Sequence, residues 1–193
     1  MTINQQLAKE LGLEQWQVDA AVELIQGGAT IPFIARYRKE VTGSLDDTVL
    51  RDLSERLVYL QNLQKRKEEV NASIAEQEKL TPELAAAIEK AQTLAEVEDL
   101  YRPYKPKRRT RASMARERGL EPLALTLLEQ KREMADPLLL AEEYVDEEKE
   151  VPDDAAAFQG AMDIVAETVS DNAEIRKKLR SYLSRKAEIK TVA

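Results

Sequence analysis

The chain has 193 residues and a formal net charge of −7, with 34 % charged and 43 % hydrophobic side chains, which suits one sizeable soluble domain or two small ones. It contains no histidine and no cysteine, and this excludes an imidazole general base, Ser-His-Asp and Cys-His pairs, zinc held by His or thiolate, and disulfides. No apolar run approaches the roughly 18 residues of a membrane span, and the opening MTINQQLAKELGL lacks the basic and apolar regions of a signal peptide, so a cytoplasmic protein is expected.

Few aromatics, abundant Ala, Leu, Glu, Lys and Arg, and no strictly alternating β-branched run predict an all-α fold. The first helix is expected over residues 3–11, with Ile3, Leu7 and Leu11 on one face and Gly12 closing it. A second, over residues 14–26, carries Val18, Ala21, Val22 and Ile25 at helical spacing, with Trp16 near its start. The pair looks like a helix-turn-helix, but the second helix offers few basic residues to read a groove, so packing is the expected role.

After Gly27-Gly28 comes TIPFIARYRKEVTG, read as one helix with Pro32 in its first turn and Gly43 at its end. Ile31, Ile34, Tyr37 and Val41 follow one face, while Arg36, Lys39 and Glu40 follow another, with Arg38 adding charge. This segment reads either as a basic contact surface or as an amphipathic helix whose arginines bond to neighbouring helix ends. The longest helical pattern runs over residues 44–77 behind a Ser44–Asp47 capping box. Leu50, Leu53, Leu57 and Leu60 form its stripe, and Leu63, Val70 and Ile74 resume it after a slip in phase. Lys65, Arg66 and Lys67 are expected to face solvent. A helix from Thr81-Pro82, with Leu84, Ala87, Ile88 and Ala91 inward, precedes a short one opened by a Thr93–Glu96 capping box.

Residues 99–118, DLYRPYKPKRRTRASMARER, form a basic patch in an acidic chain. From Tyr101 to Arg118 the segment carries +7, leaving −14 for the rest. Clustered positive charge is the electrostatic footprint of a phosphate-bearing partner. The doublet Tyr101-Arg102-Pro103, Tyr104-Lys105-Pro106 predicts polyproline II, with Tyr101, Tyr104 and Lys107 on one edge and Arg102, Lys105 and Arg108 on the next. The candidate phosphate contacts are Arg102, Lys105, Lys107, Arg108, Arg109 and Arg111, and Tyr101 and Tyr104 are candidates to stack on bases. The opposing reading packs both rings against neighbouring helices and leaves the cations solvated.

Thr110 is expected to cap the next helix, where Ala112 and Ala115 permit close helix approach, and Glu121-Pro122 to start another with Leu123, Leu127 and Leu128 buried. Residues 142–154 sum to −7 and read as a solvated acidic loop able to shield the basic stretch. The last two helices are expected over residues 154–169 and 173–186, the second capped by Asn172. No Gly-rich phosphate loop, metal-ligand set or cofactor motif occurs, so a non-enzymatic protein without cofactor or metal is expected.

IPFIARYRKEVTGSLDD at residues 31–47 and DLYRPYKPKRRTRASMARERGLEPLA at residues 99–124 resemble the N-terminal region of bacterial Tex proteins. These are transcription accessory proteins related to a eukaryotic transcription elongation factor. The resemblance extends over essentially the whole chain, and implies that an RNase H-like domain, helix-hairpin-helix elements and a C-terminal OB-fold domain follow in the family and are absent here. It implies RNA or DNA binding for a full-length protein, and assigns no catalytic residue to this region.

The expected architecture is an all-α, elongated multi-helix region organised on one long central helix. It has short N-terminal helices over residues 1–43, the long helix and its followers over 44–100, and the basic stretch with C-terminal helices over 101–193. Two functions compete. One is nucleic-acid association in transcription through the basic stretch. The other is an interaction module that docks onto downstream domains or transcription machinery, with the cations paired to protein carboxylates. Basic side chains exposed in a groove would favour the first, and cations paired with Glu and Asp the second.

Overall fold

The computed structural model describes residues 2–106, 109–131, 136–188 and 190–191. Their regular structure is helical, with no strand and one isolated bridge between Asp146 and Val151. None of the described helices is long and apolar enough to cross a membrane. The chain divides into two compact units, residues 1–94 and 95–193.

The first unit opens with α1 (Ile3–Leu11), where Thr2 and Gln5 form a reciprocal capping box, and continues into α2 (Gln15–Gln26). The next segment is not the single helix expected. It is α3 (Ile31–Tyr37) and α4 (Lys39–Thr42), broken at Arg38, whose φ of −127° and ψ of 24° leave the helical region. The break resets the phase of the buried face. Ile34 enters the core and Thr42 is buried with its hydroxyl donating to the Arg38 carbonyl at 3.1 Å. Tyr37 and Val41, expected inward with Ile34, are instead 67 % and 48 % exposed.

Helix α5 (Asp47–Ala75) has 29 residues, about 43 Å at 1.5 Å per residue. Asp46 caps it by accepting from the Val49 amide at 2.9 Å. Its buried stripe is Leu50, Leu53, Leu57, Leu60, Leu63, Lys67, Val70 and Ile74. Lys67 corrects the expectation of a solvent-facing Lys65–Lys67 turn: it occupies the stripe between Leu63 and Val70. Its alkyl stem is buried and its ammonium donates to the Glu89 carbonyl at 2.6 Å, at the C-terminal turn of α6 (Pro82–Lys90). Leu7, Val18, Ala21, Val22 and Ile34 pack on the other end of α5. Arg56 clamps α1 to α5 by two bonds to Glu10, at 2.6 and 3.0 Å, while its guanidinium lies over the Tyr59 ring.

The second unit contains most of α7 (Leu94–Tyr101), a 3-10 turn (Arg102–Tyr104), α8 (Arg111–Glu117), α9 (Glu121–Glu129), α10 (Pro137–Glu142), a second 3-10 turn (Glu147–Lys149), α11 (Asp154–Asp171) and α12 (Ala173–Lys186). Here α11 is the spine. Ala157, Ala161 and Ile164 face Ala112 and Ala115 of α8, Leu123 and Ala124 of α9, and Ala141 of α10. Small side chains on both sides let the helices approach closely. At Gly160 a Leu120 methyl carbon occupies the place a Cβ would take.

Candidate nucleic-acid interface

The basic stretch departs from the polyproline II geometry expected of it. Helix α7 runs through Tyr101, and the 3-10 turn continues it, with the Lys105 amide donating to the Tyr101 carbonyl at 3.0 Å. Pro103 sits in the first positions of the 3-10 turn, where its missing N–H removes no bond. Lys105, before Pro106, is extended at φ −64° and ψ 129°. Tyr101 is consequently buried and Tyr104 half-buried, so the two rings do not line the edge of an extended strand. Lys107 and Arg108 lie outside the described residues.

The cations are met by carboxylates of the same unit. Arg102 Nε donates to Asp171 at 2.7 Å, and the Asp171 side chain is 12 % exposed. Arg116 Nη1 donates to Glu167 at 2.6 Å, and its Nε to Glu121 at 3.3 Å. Burial opposes the charge of Arg116, but the Glu167 bond outweighs it and raises the guanidinium pKa. Arg109 bonds Glu117 at 3.0 Å, Arg118 bonds Glu150 at 2.7 Å, and the Lys105 ammonium stands 3.8 Å from Glu98. Arg111 is exposed and meets no carboxylate among the described residues. Thr110 caps α8 in a reciprocal box with Ser113 while its hydroxyl donates to Glu167 at 3.1 Å.

Three carboxylates that hold this arrangement, Asp99, Glu167 and Asp171, were not singled out by sequence reasoning. Asp99 is buried on α7 and accepts from Arg176 at 2.7 Å and from Arg180, both on α12. Burial pushes its carboxyl pKa up, but the bonds from Arg180 and Arg176 and their charges more than reverse this and hold it below the ordinary value. The legible signal was an acidic residue between Val97 and Tyr101, on a helix with an apolar face, where an unpaired carboxylate would be costly. A hollow of about 350 Å³ lies beside the stretch, lined by Arg102, Lys105, Pro106, Thr110, Glu167, Ser170 and Asp171. Its described lining carries two cations, Arg102 and Lys105, and two carboxylates, Glu167 and Asp171, whose formal charges balance.

The acidic segment is largely exposed, as expected, and is hydrogen-bonded into turns. Asp146 accepts from the Glu148 and Lys149 amides and pairs across to Val151, which is buried. Its Glu150 meets Arg118, whereas Arg102 and Arg116 meet carboxylates of α11. No group of three carboxylates able to hold a metal ion occurs among the described residues.

Comparison with known proteins bears on both units. The family model of the Tex-like protein N-terminal domain matches residues 1–75, and that of the Tex central region matches residues 132–193. The chain is similar to a transcriptional accessory protein Tex of Neisseria gonorrhoeae, 49 % identical over 191 residues, covering 99 % of this chain and 25 % of the relative. It is similar to protein tex of Bordetella pertussis, 52 % identical over 178 residues, covering 92 % and 22 %. An S1 RNA-binding domain-containing protein 1 of Pongo abelii is 34 % identical over 134 residues, covering 69 % and 14 %. The chain thus spans about a quarter or less of the length of these curated relatives.

Proposed function

The chain belongs to the family of Tex-like proteins, and from that premise we propose that the protein associates with nucleic acid during transcription while this helical region serves it as an interaction module. The relatives named as a transcriptional accessory protein and as an S1 RNA-binding domain-containing protein support the first half. One observation carries the second half: Arg102, Lys105, Arg109, Arg116 and Arg118 each reach a carboxylate of their own unit. A cation in such a pair has part of its charge compensated, and must give up a bond to take a phosphate. The module has no catalytic role and no cofactor. It works in the cytoplasm by presenting helical surfaces to other domains or to transcription machinery.

A second reading keeps direct phosphate contact in the stretch. It is favoured by the exposure of Lys105 and Arg109, whose side chains are 58 % and 70 % accessible, and by the exposure of Arg111, which meets no carboxylate among the described residues. Exposed pairs contribute only about 0–1 kcal/mol and exchange readily. Substitution of Lys105, Arg109 and Arg111 by glutamine separates the two. The module reading expects affinity for a labelled oligouridylate to stay within about twofold, with the dependence of log K on log salt unchanged. A slope flattened by about 0.7 per lost contact establishes the second reading instead.

A further inference from the structure

The break at Arg38 turns an ordinary helix into a basic and aromatic surface, on which Arg36, Arg38 and Lys39 outnumber the single exposed acid, Glu40. Phe33, Arg36 and Tyr37 stand at i, i+3 and i+4 on α3, hence on one face. The rings of Phe33 and Tyr37 lie 5.4 Å apart between centroids at an angle of 43°. The Arg38 guanidinium sits over the Phe33 ring, 5.5 Å from its centroid. Lys39 follows at once. Phe33 is 40 % exposed, and Arg36, Arg38 and Lys39 are exposed with no carboxylate partner among the described residues. On α5 of the same unit, Arg51, Arg56 and Arg66 each reach one. Three cations and one acid over residues 36–40 give this segment a formal charge of +2 in a chain whose formal net charge is −7.

The surface is held in place from behind. Ile34 is fully buried, Thr42 is buried at the end of α4, and Trp16 of α2 lies so close to Gly43 that a Cβ there would sit 2.5 Å from its ring. The rings and cations are therefore presented on a fixed backbone. Phe33, Tyr37 and Val41 are few exposed apolar groups for a stable protein–protein interface, which buries about 800 Å² of total surface a side. Ring faces beside unpaired cations suit a strand of alternating bases and phosphates.

We propose that the outward face of α3 and the start of α4 bind single-stranded nucleic acid, with Arg36, Arg38 and Lys39 meeting phosphates and the ring of Tyr37, backed by Phe33, stacking on a base. The site lies in the first unit and does not depend on the role given to the basic stretch of the second.

The test is titration of the chain with a labelled oligouridylate across a salt series, with polyglutamate as a parallel probe. The triple substitution Arg36→Gln, Arg38→Gln and Lys39→Gln acts on exposed side chains and is checked for folding by helical circular dichroism. It is expected to weaken oligouridylate binding at least about tenfold and to make the salt slope shallower by up to about 2, at about 0.7 per phosphate contact. Tyr37→Ala is expected to lose about 5- to 150-fold per stacked base with the slope kept. Absence of oligouridylate binding by the unsubstituted chain overturns the proposal, as does a folded triple variant with unchanged affinity and slope. Loss in the triple variant without loss in Tyr37→Ala also overturns it, because a polyanion contact without stacking is not this site. If polyglutamate binds as tightly and shows the same losses, the face docks an acidic protein and the proposal fails.

Discussion

Asp99 concentrates the logic of the second unit in one side chain. It is buried, and two arginines from α12 converge on it. Asp99→Asn keeps the shape and removes the charge that the arginines were placed to meet. Hydrogen bonds to charged groups are each worth about 1.5–3 kcal/mol, and the arginines are partly exposed and can resolvate, so an overall cost of about 1–3 kcal/mol in thermal or denaturant unfolding is expected. The pH dependence has a definite sign. The folded carboxyl titrates below its unfolded value, so its contribution is complete above the unfolded value near 4 and disappears as pH falls through the folded value. An acid titration of stability should therefore be shallower below about pH 4 in Asp99→Asn than in the unsubstituted chain. Equal slopes would contradict the pairing. Asp99 and Lys67 also show why single residues escape a sequence reading. Each sits at a position whose spacing demands an apolar side chain, and only the partner identifies the exception: the Glu89 carbonyl for Lys67 and two distant arginines for Asp99.

Among elements, those with strong leucine periodicity were legible. The long helix was expected over residues 44–77 and occupies Asp47–Ala75, because its Leu50, Leu53, Leu57 and Leu60 stripe admits no other period. The spine α11 was legible as a helix but not as the organiser of a core, because its inner face is Ala157, Gly160, Ala161 and Ile164. Small residues carry little hydrophobic signal, and their close packing appears only when α8 is brought against them. The break at Arg38 had no proline or glycine to announce it, and the proline-rich stretch was read as extended because two prolines outweighed the helix running into them. Gly43 is the element-scale constraint that a substitution can test. Its φ is +65° and Trp16 covers the space a side chain would need. Gly43→Ala combines left-handed strain with overpacking, an expected cost of about 2–4 kcal/mol. The chain has a single tryptophan, so denaturant unfolding followed by Trp16 fluorescence reads the effect directly. A midpoint equal to that of the unsubstituted chain would contradict the close contact.

For the whole molecule, two units with separate cores divide the charges differently. Among the described residues the first leaves Arg36, Arg38 and Lys39 without a carboxylate partner, whereas the second sets most of its described basic stretch against its own acids. Charge clustering was legible in the sequence, but its use was not, since the carboxylates that answer Arg102 and Arg116 lie 69 and 51 positions away. The central claim is that the basic stretch is structural, and thermal unfolding with and without excess oligouridylate tests it most directly. The variant replaces Arg102, Arg109, Arg116 and Arg118 by glutamine. Five pairs, two of them on Arg116, at up to about 1 kcal/mol each predict a melting temperature lower by about 4–8 °C for each kcal/mol lost in a unit of this size, with the stabilisation added by oligouridylate unchanged. A variant that melts no lower than the unsubstituted chain, yet loses the oligouridylate-induced rise, would contradict the account and make the stretch the phosphate site.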